Sequence, residues 1–252
     1  MLYSANQLKG YKLNSLDGDI GKAKEFYFDD KHWTVRYLVA DSGNWLFGRT
    51  VLLSPYSLVS VKLGLEEIEV ALSKKQIEGS PALESDKPVS LQYEESYYGY
   101  YGWPQYWAGP NSWGPYPYAT RDSEKWKEFG NGGKKWDRHL RSTREVEGYH
   151  VQATDGSIGH ISDFIIDDET WAIRYLVVNT HNWLPGRKTI VSPLWTTRVS
   201  WVEKKVYFDL TKATIEQSPE LTKDALITRD YESRLAGFYN RNGYWSEELI
   251  NS

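Results

Sequence analysis

Residues 10–21 read Gly-Tyr-Lys-Leu-Asn-Ser-Leu-Asp-Gly-Asp-Ile-Gly, and residues 148–159 read Gly-Tyr-His-Val-Gln-Ala-Thr-Asp-Gly-Ser-Ile-Gly. The stretches lie 138 positions apart, and the same offset relates residues 1–107 to 139–245 without a gap, with about a third of positions identical. Trp33-x-x-Arg36-Tyr37-Leu38-Val39 meets Trp171-x-x-Arg174-Tyr175-Leu176-Val177. Asn44-Trp45-Leu46-x-Gly48-Arg49 meets Asn182-Trp183-Leu184-x-Gly186-Arg187, and Ser54-Pro55 meets Ser192-Pro193. The chain is a tandem duplication, so whatever fold one copy takes, the other takes too. Within each copy Asp-Gly supplies the positive φ of a tight hairpin turn. The glycine three residues on, Gly21 or Gly159, falls inside a strand and marks a bulge or a close backbone approach.

Around these anchors the second copy reads as short strands over 146–152, 158–167, 171–179, 188–192, 195–202 and 206–210, separated by turn residues. That spacing is the pattern of an all-β barrel or sandwich. Ser73-x-x-Gln76 is a capping box opening a short helix, and Thr211 holds the same cap position in the second copy. Both helices end before Ser-Pro, at 80–81 and 218–219, as the restriction on the residue before proline requires.

Between the copies the composition changes. Residues 93–118 hold 11 aromatic residues with Gly and Pro and no Lys or Arg, and Gly130-Asn131-Gly132-Gly133 reads as a flexible hinge. The aromatic stretch is itself half repeated. Tyr93-Glu94, Gly99, Tyr101 and Tyr106-Trp107 return as Tyr231-Glu232, Gly237, Tyr239 and Tyr244-Trp245. The domain reading is therefore repeat one over 1–92, aromatic tail and linker over 93–138, repeat two with its tail over 139–245, and a short extension over 246–252. The aromatic tail is expected to dock against the repeats without regular structure, because large rings bury much area at low entropy cost.

A chain of 252 residues accommodates two such domains. With no cysteine, disulfides and thiolate metal sites are excluded, which fits a reducing compartment. The start Met1-Leu2-Tyr3-Ser4-Ala5 lacks the basic and apolar regions of a signal peptide, and no apolar run reaches the ~18–20 residues of a membrane span. The expectation is a soluble cytoplasmic protein, with peripheral association at a membrane compatible with it. A net charge of −4 with interspersed signs argues against a nucleic-acid coat. The anomaly is 12 Trp and 19 Tyr against one Met.

Each chemical candidate has a simpler structural reading. Asp29-Asp30 and Asp167-Asp168 could hold a cation, yet adjacent strand residues face opposite ways, so turn formation is favoured. His150 and His160 sit on the two arms of one hairpin, and a bulge at Gly159 decides whether they share a face. Arg36 and Arg174 interrupt apolar strands, and alternation places them opposite 33, 35 and 37, which predicts solvent exposure. The loops carrying Asn44, Trp45, Arg49, Asn182, Trp183 and Arg187 have the composition of interface anchors, or else fold back to plug a barrel end. In the tail, Tyr101, Trp103, Tyr106 and Trp107 are the interaction candidates. Base stacking is disfavoured there for want of any cation. No catalytic residue, metal site or cofactor site is identified, and phosphate loops and nucleophile elbows are missing from the sequence.

The series Gly10-Tyr11, Asp17-Gly18-x-Ile20-Gly21, an apolar strand ending Asp29-Asp30, Arg36-Tyr37-Leu38-Val39 and Ser54-Pro55 resembles the PRC-barrel family. That family takes in the cytoplasmic domain of the photosynthetic reaction centre H subunit and the C-terminal domain of a bacterial 16S rRNA maturation factor. The resemblance covers about 1–85 and 139–222, and is strongest to tandem bacterial members. It implies an all-β protein of two small β-barrels, about six strands each plus a short helix, serving as a non-catalytic protein-interaction or regulatory module. A membrane-associated assembly like the reaction centre is implied by the same likeness. The expected partner is a protein, with no nucleic acid and no transmembrane segment, and a homodimer through barrel edges or tails is compatible with the pattern. The alternative reading is a small-ligand or glycan binder that uses an aromatic cleft.

Overall fold

The computed structural model describes residues 1–43, 45–46, 49–82, 89, 91–120, 140–180, 187–222 and 226–248. They divide into two compact units. The first takes Met1, Tyr3–Arg144 and Asp167–Ala172, and the second takes Leu2, Glu145–Ile166 and Ile173–Ser252.

The elements met first are β1 (Leu2–Ser4), α1 (Ala5–Leu8), β2 (Lys12–Ser15), β3 (Gly18–Asp29), β4 (Thr34–Asp41), β5 (Thr50–Leu53), β6 (Leu58–Lys62) and β7 (Glu67–Val70). After them come α2 (Lys74–Glu78), α3 (Leu91–Tyr101), β8 (Leu140–Ser142) and α4 (Thr143–Val146). In the first unit the strands run β5-β4-β3-β2-β7-β6, with β8 added on β3 opposite Tyr27, Phe28 and Asp29. The β2–β7 pair is parallel and the other neighbours are antiparallel. Leu13 pairs with Ile68, and Ala23, Ala40 and Val51 form a cross-strand row; all five are buried.

This is a mixed sheet with two ends, β5 and β6, rather than the closed barrel the sequence suggests. Among the described residues no ladder joins those ends. The cause is local: Ser54-Pro55 starts a 3-10 turn over Pro55–Ser57, so the chain turns out of β5 and enters β6 without pairing them. The glycine reading is confirmed. Gly21 sits at φ +112°, where a Cβ would lie 2.0 Å from the Asp41 carbonyl oxygen, and Gly159 would meet the Asn179 oxygen at 2.1 Å. The capping box is present too, with Gln76 N donating to Ser73 Oγ at 3.3 Å and Ser73 N donating to Gln76 Oε1 at 2.9 Å.

The second unit contains β9 (His150–Ala153), most of β10 (Gly156–Asp167), β11 (Ile173–Asn179), β12 (Lys188–Val191), β13 (Thr196–Ser200) and β14 (Lys205–Phe208). Three helices follow: α5 (Lys212–Gln217), α6 (Arg229–Tyr239) and α7 (Tyr244–Glu248). Its strand order, β12-β11-β10-β9-β14-β13, repeats that of the first unit.

The aromatic tails are not irregular. Each opens with an eleven-residue helix, α3 or α6, because Tyr, Glu, Leu and Ala tolerate the α conformation once one face is buried. Thr228 caps α6, its hydroxyl accepting from Tyr231 N at 3.3 Å. No helix among the described residues is long and apolar enough to cross a membrane.

Candidate functional site

The tails are held by a buried carboxylate that neither composition nor spacing singles out. Glu94, on α3, is 1% exposed. It accepts from Tyr37 Oη on β4 at 2.9 Å and from Tyr106 Oη at 2.8 Å. Burial, and then the Glu94 charge, hold both hydroxyls well above the usual tyrosine range, which fixes them as donors. In the second unit Glu232 on α6 accepts from Tyr175 Oη at 2.9 Å and pairs with Arg229 at 3.1 Å. Burial raises the Glu232 carboxyl, against the lowering effect of its Tyr175 and Arg229 partners. The Tyr-Glu pair that recurs in both tails was the available signal for this lock.

Around Glu94 the aromatic residues interlock. The Tyr97 hydroxyl donates to Leu52 O at 2.8 Å and accepts from Ser54 N at 3.2 Å, tying α3 to β5. Tyr97, Tyr98 and Trp113 are fully buried, Tyr106 and Trp107 nearly so. Tyr101 and Trp103, both half-buried, stack with ring centroids 4.3 Å apart. The four tail candidates are thus brought together, but as packing against their own unit.

Arg36 corrects the expectation of an exposed side chain, being 1% exposed. Its guanidinium donates to Asp29 Oδ2 at 2.6 Å and lies 4.0 Å from the Tyr106 ring and 4.7 Å from the Trp113 ring. Strand alternation does place it opposite Tyr37, but the aromatic segment covers that face also. Arg174 is half-buried, 3.7 Å from the Tyr244 ring.

The acidic pairs act at turns. Asp29 Oδ1 accepts from His32 N at 2.7 Å, and Asp167 Oδ1 accepts from Glu169 N at 3.1 Å. Each turn then passes through a tryptophan with positive φ, Trp33 at 49° and Trp171 at 60°. Asp30 pairs with Arg141 at 3.2 Å, and Asp168 with the Met1 amine.

In the Asn-Trp-Leu-x-Gly-Arg loops, Asn44, Asn182 and Trp183 lie outside the described residues. Trp45 is half-buried, with Lys74 Nζ 5.7 Å from its ring centroid. The two arginines take equivalent posts. Arg49 donates to Glu78 O at 3.0 Å and to Ser80 O, and Arg187 donates to Ser218 O at 2.7 Å. Each satisfies carbonyls at the end of the short helix, α2 or α5, as a cation at a helix C-terminus should.

His150 and His160 are direct cross-strand partners, the register shift falling between Ser157 and Gly159. The bulge therefore puts them on one face. Among the described residues no group of three or more His, Cys, Asp or Glu could hold a metal ion. The arrangement as a whole positions surfaces and seals polar groups inside them.

A search of curated proteins finds no match to the chain. The family model for the PRC-barrel domain matches residues 1–77 and again 140–215, the two copies seen in the sequence and the two sheets seen in the fold. With both repeats matched over more than half of its length, the chain belongs to the PRC-barrel domain family.

Proposed function

We propose that the chain is a non-catalytic protein-interaction or regulatory module, a paired scaffold whose work is to present surfaces. The observation that supports this reading is the use made of the aromatic tail. A ligand-stacking tail would leave ring faces open, whereas Tyr97, Tyr98, Tyr106, Trp107 and Trp113 are all buried. In the first unit the buried Arg36 donates to Asp29, and the buried Glu94 accepts from Tyr37 and Tyr106, contacts that require one placement of the tail on the sheet. The family resemblance extends the proposal to an assembly associated with a membrane, on the pattern of the reaction-centre H subunit, and to a cytoplasmic location.

The test is in-cell cross-linking with tagged protein in its native host, followed by mass spectrometry of the linked peptides. Links from one partner to a defined patch, lost in the Trp45→Ala, Trp183→Ala double variant or in a substitution within that patch, support the module. Turnover of a metabolite by the purified chain refutes it.

A second reading, binding of a small ligand, is favoured by one feature of the first unit. A cleft of about 300 Å³ is lined by Pro55, Val59, Ala119, Asp168, Glu169 and Trp171, and is at the lower limit of ligand pockets. The buried Trp171 Nε1 has no hydrogen-bond partner.

A further inference from the structure

We infer that the open end of the second sheet is a docking surface for an acidic segment of a partner protein; this deepens the interaction-module reading and rests on it. The argument begins with register. Lys205 on β14 is the partner of His150 on β9, His150 of His160 on β10, His160 of Asn179 on β11, and Asn179 of Lys188 on β12. Cross-strand partners share a face, so these five form one row. Their neighbours Val206, Val151, Ile161, Val178 and Thr189 are all buried, while His150 and Lys188 in the row are exposed and Lys205, His160 and Asn179 half-buried. A second row beside it carries Arg198, Tyr207, Gln152 and Ser157.

The first unit supplies the control. Its matching row reads Glu67, Lys12, Lys22, Asp41 and Thr50, and its second row reads Ser60, Glu69, Asn14 and Asp19. Four acids there answer two lysines. In the second unit all four acidic positions have become Lys, Tyr, Asn or Ser, and neither row holds an acid. The next acid along β10, Asp163, is buried. Glu203, in the turn after β13, is engaged by Tyr207 Oη at 2.8 Å and Arg198 at 3.6 Å. One fold therefore presents a face with an excess of acids in one copy and a cationic one in the other.

Scale decides the partner. Four strand steps of ~4.8 Å set Lys205 and Lys188 about 19 Å apart, while charges are screened over about 8 Å at physiological salt. A membrane or a nucleic acid confronts far more of the molecule than this row, including the rest of a chain whose net charge is −4. A short run of carboxylates meets the row alone. The imidazoles of His150 and His160 lie between the cations and offer directional donors to such a run.

The experiment uses the full chain and a fluorescein-labelled decaglutamate peptide, read by anisotropy at low salt. Saturable binding is expected, weakened at least tenfold in K188E/K205E and by less than twofold in K12E/K22E. Circular dichroism checks both variants, and K188Q/K205Q replaces the first if it unfolds. Absence of saturable binding overturns the inference, as does equal loss in the two variants. Tighter K188-dependent binding of anionic phospholipid vesicles or of a single-stranded oligonucleotide also overturns it. If K188E/K205E keeps its cross-linked partner in the host, the module reading stands and this face is dismissed.

Discussion

Arg36 in the first unit is 1% exposed between Asp29 and two aromatic rings, whereas its counterpart Arg174 is half-buried over Tyr244, with Arg229 against the same ring at 5.1 Å. Both tails reach the shared Tyr-Trp pair, at 106–107 and 244–245, and the first adds Trp113, where the equivalent position 251 of the second copy is Asn. The same locking carboxylate thus closes a dry cluster in one copy and a wetter one in the other. The lesson is that a duplicated module can keep its anchor and vary how much it seals.

The sharpest way to break this contrast is to remove Asp29. Asp29→Ala leaves the Arg36 cation buried without its partner and is expected to cost about 3–5 kcal/mol. Asp167→Ala, which loses turn hydrogen bonds, is expected to cost about 1 kcal/mol. Urea unfolding combined with hydrogen exchange on β4 and β11 separates the two, and equal losses would erase the distinction.

Truncating Trp113 to Ala removes a fully buried ring and should cost about 3–5 kcal/mol, with a smaller loss for Trp245→Ala, whose ring is half-buried. Calorimetric melting of both variants tests the ranking. The symmetric control comes next in size. Gly21→Ala and Gly159→Ala each drive a Cβ to about 2 Å from a carbonyl oxygen, and each should destabilise its own sheet by about 2–3 kcal/mol. A large inequality between them would mean that the two sheets are less alike than their registers.

The smallest effect is a pH dependence. Burial raises the Glu232 carboxyl above its ordinary 4.5, so the folded second unit binds a proton that the unfolded chain releases. The stability it contributes is full below that ordinary value and is lost as pH rises through the raised one. Glu232→Gln should therefore flatten the dependence between neutral pH and pH 4.5. Melting curves of the variant and parent across that range decide it.

Much of this was legible in the chain. Duplication predicted two copies of one β fold, expected as barrels and found as sheets, and Ser73-x-x-Gln76 predicted the start of α2 to the residue. Gly21 and Gly159 marked the close backbone approach, and alternation placed Arg36 opposite Tyr37. What alternation could not tell was that both sides of β4 are covered, since that depends on a segment more than sixty residues further along. Closure failed for a related reason: a Ser-Pro turn reads alike whether or not the strands on either side of it pair. The helical start of each tail was hidden because an aromatic stretch with Gly and Pro has weak intrinsic helix preference, and tertiary packing overrides it. The common role of Arg49 and Arg187 as helix-end donors was masked by a composition that also suits interfaces.

Strand β8 opens the second copy of the repeat yet folds on β3 in the first unit, where Ser142 Oγ bonds Glu25, and Thr143 Oγ1 accepts from Phe26 N at 3.2 Å. The borders of the duplication and the borders of the compact units therefore disagree. A fragment ended after the first aromatic tail would expose the edge at Tyr27–Asp29 to any strand nearby, including that of a sister molecule.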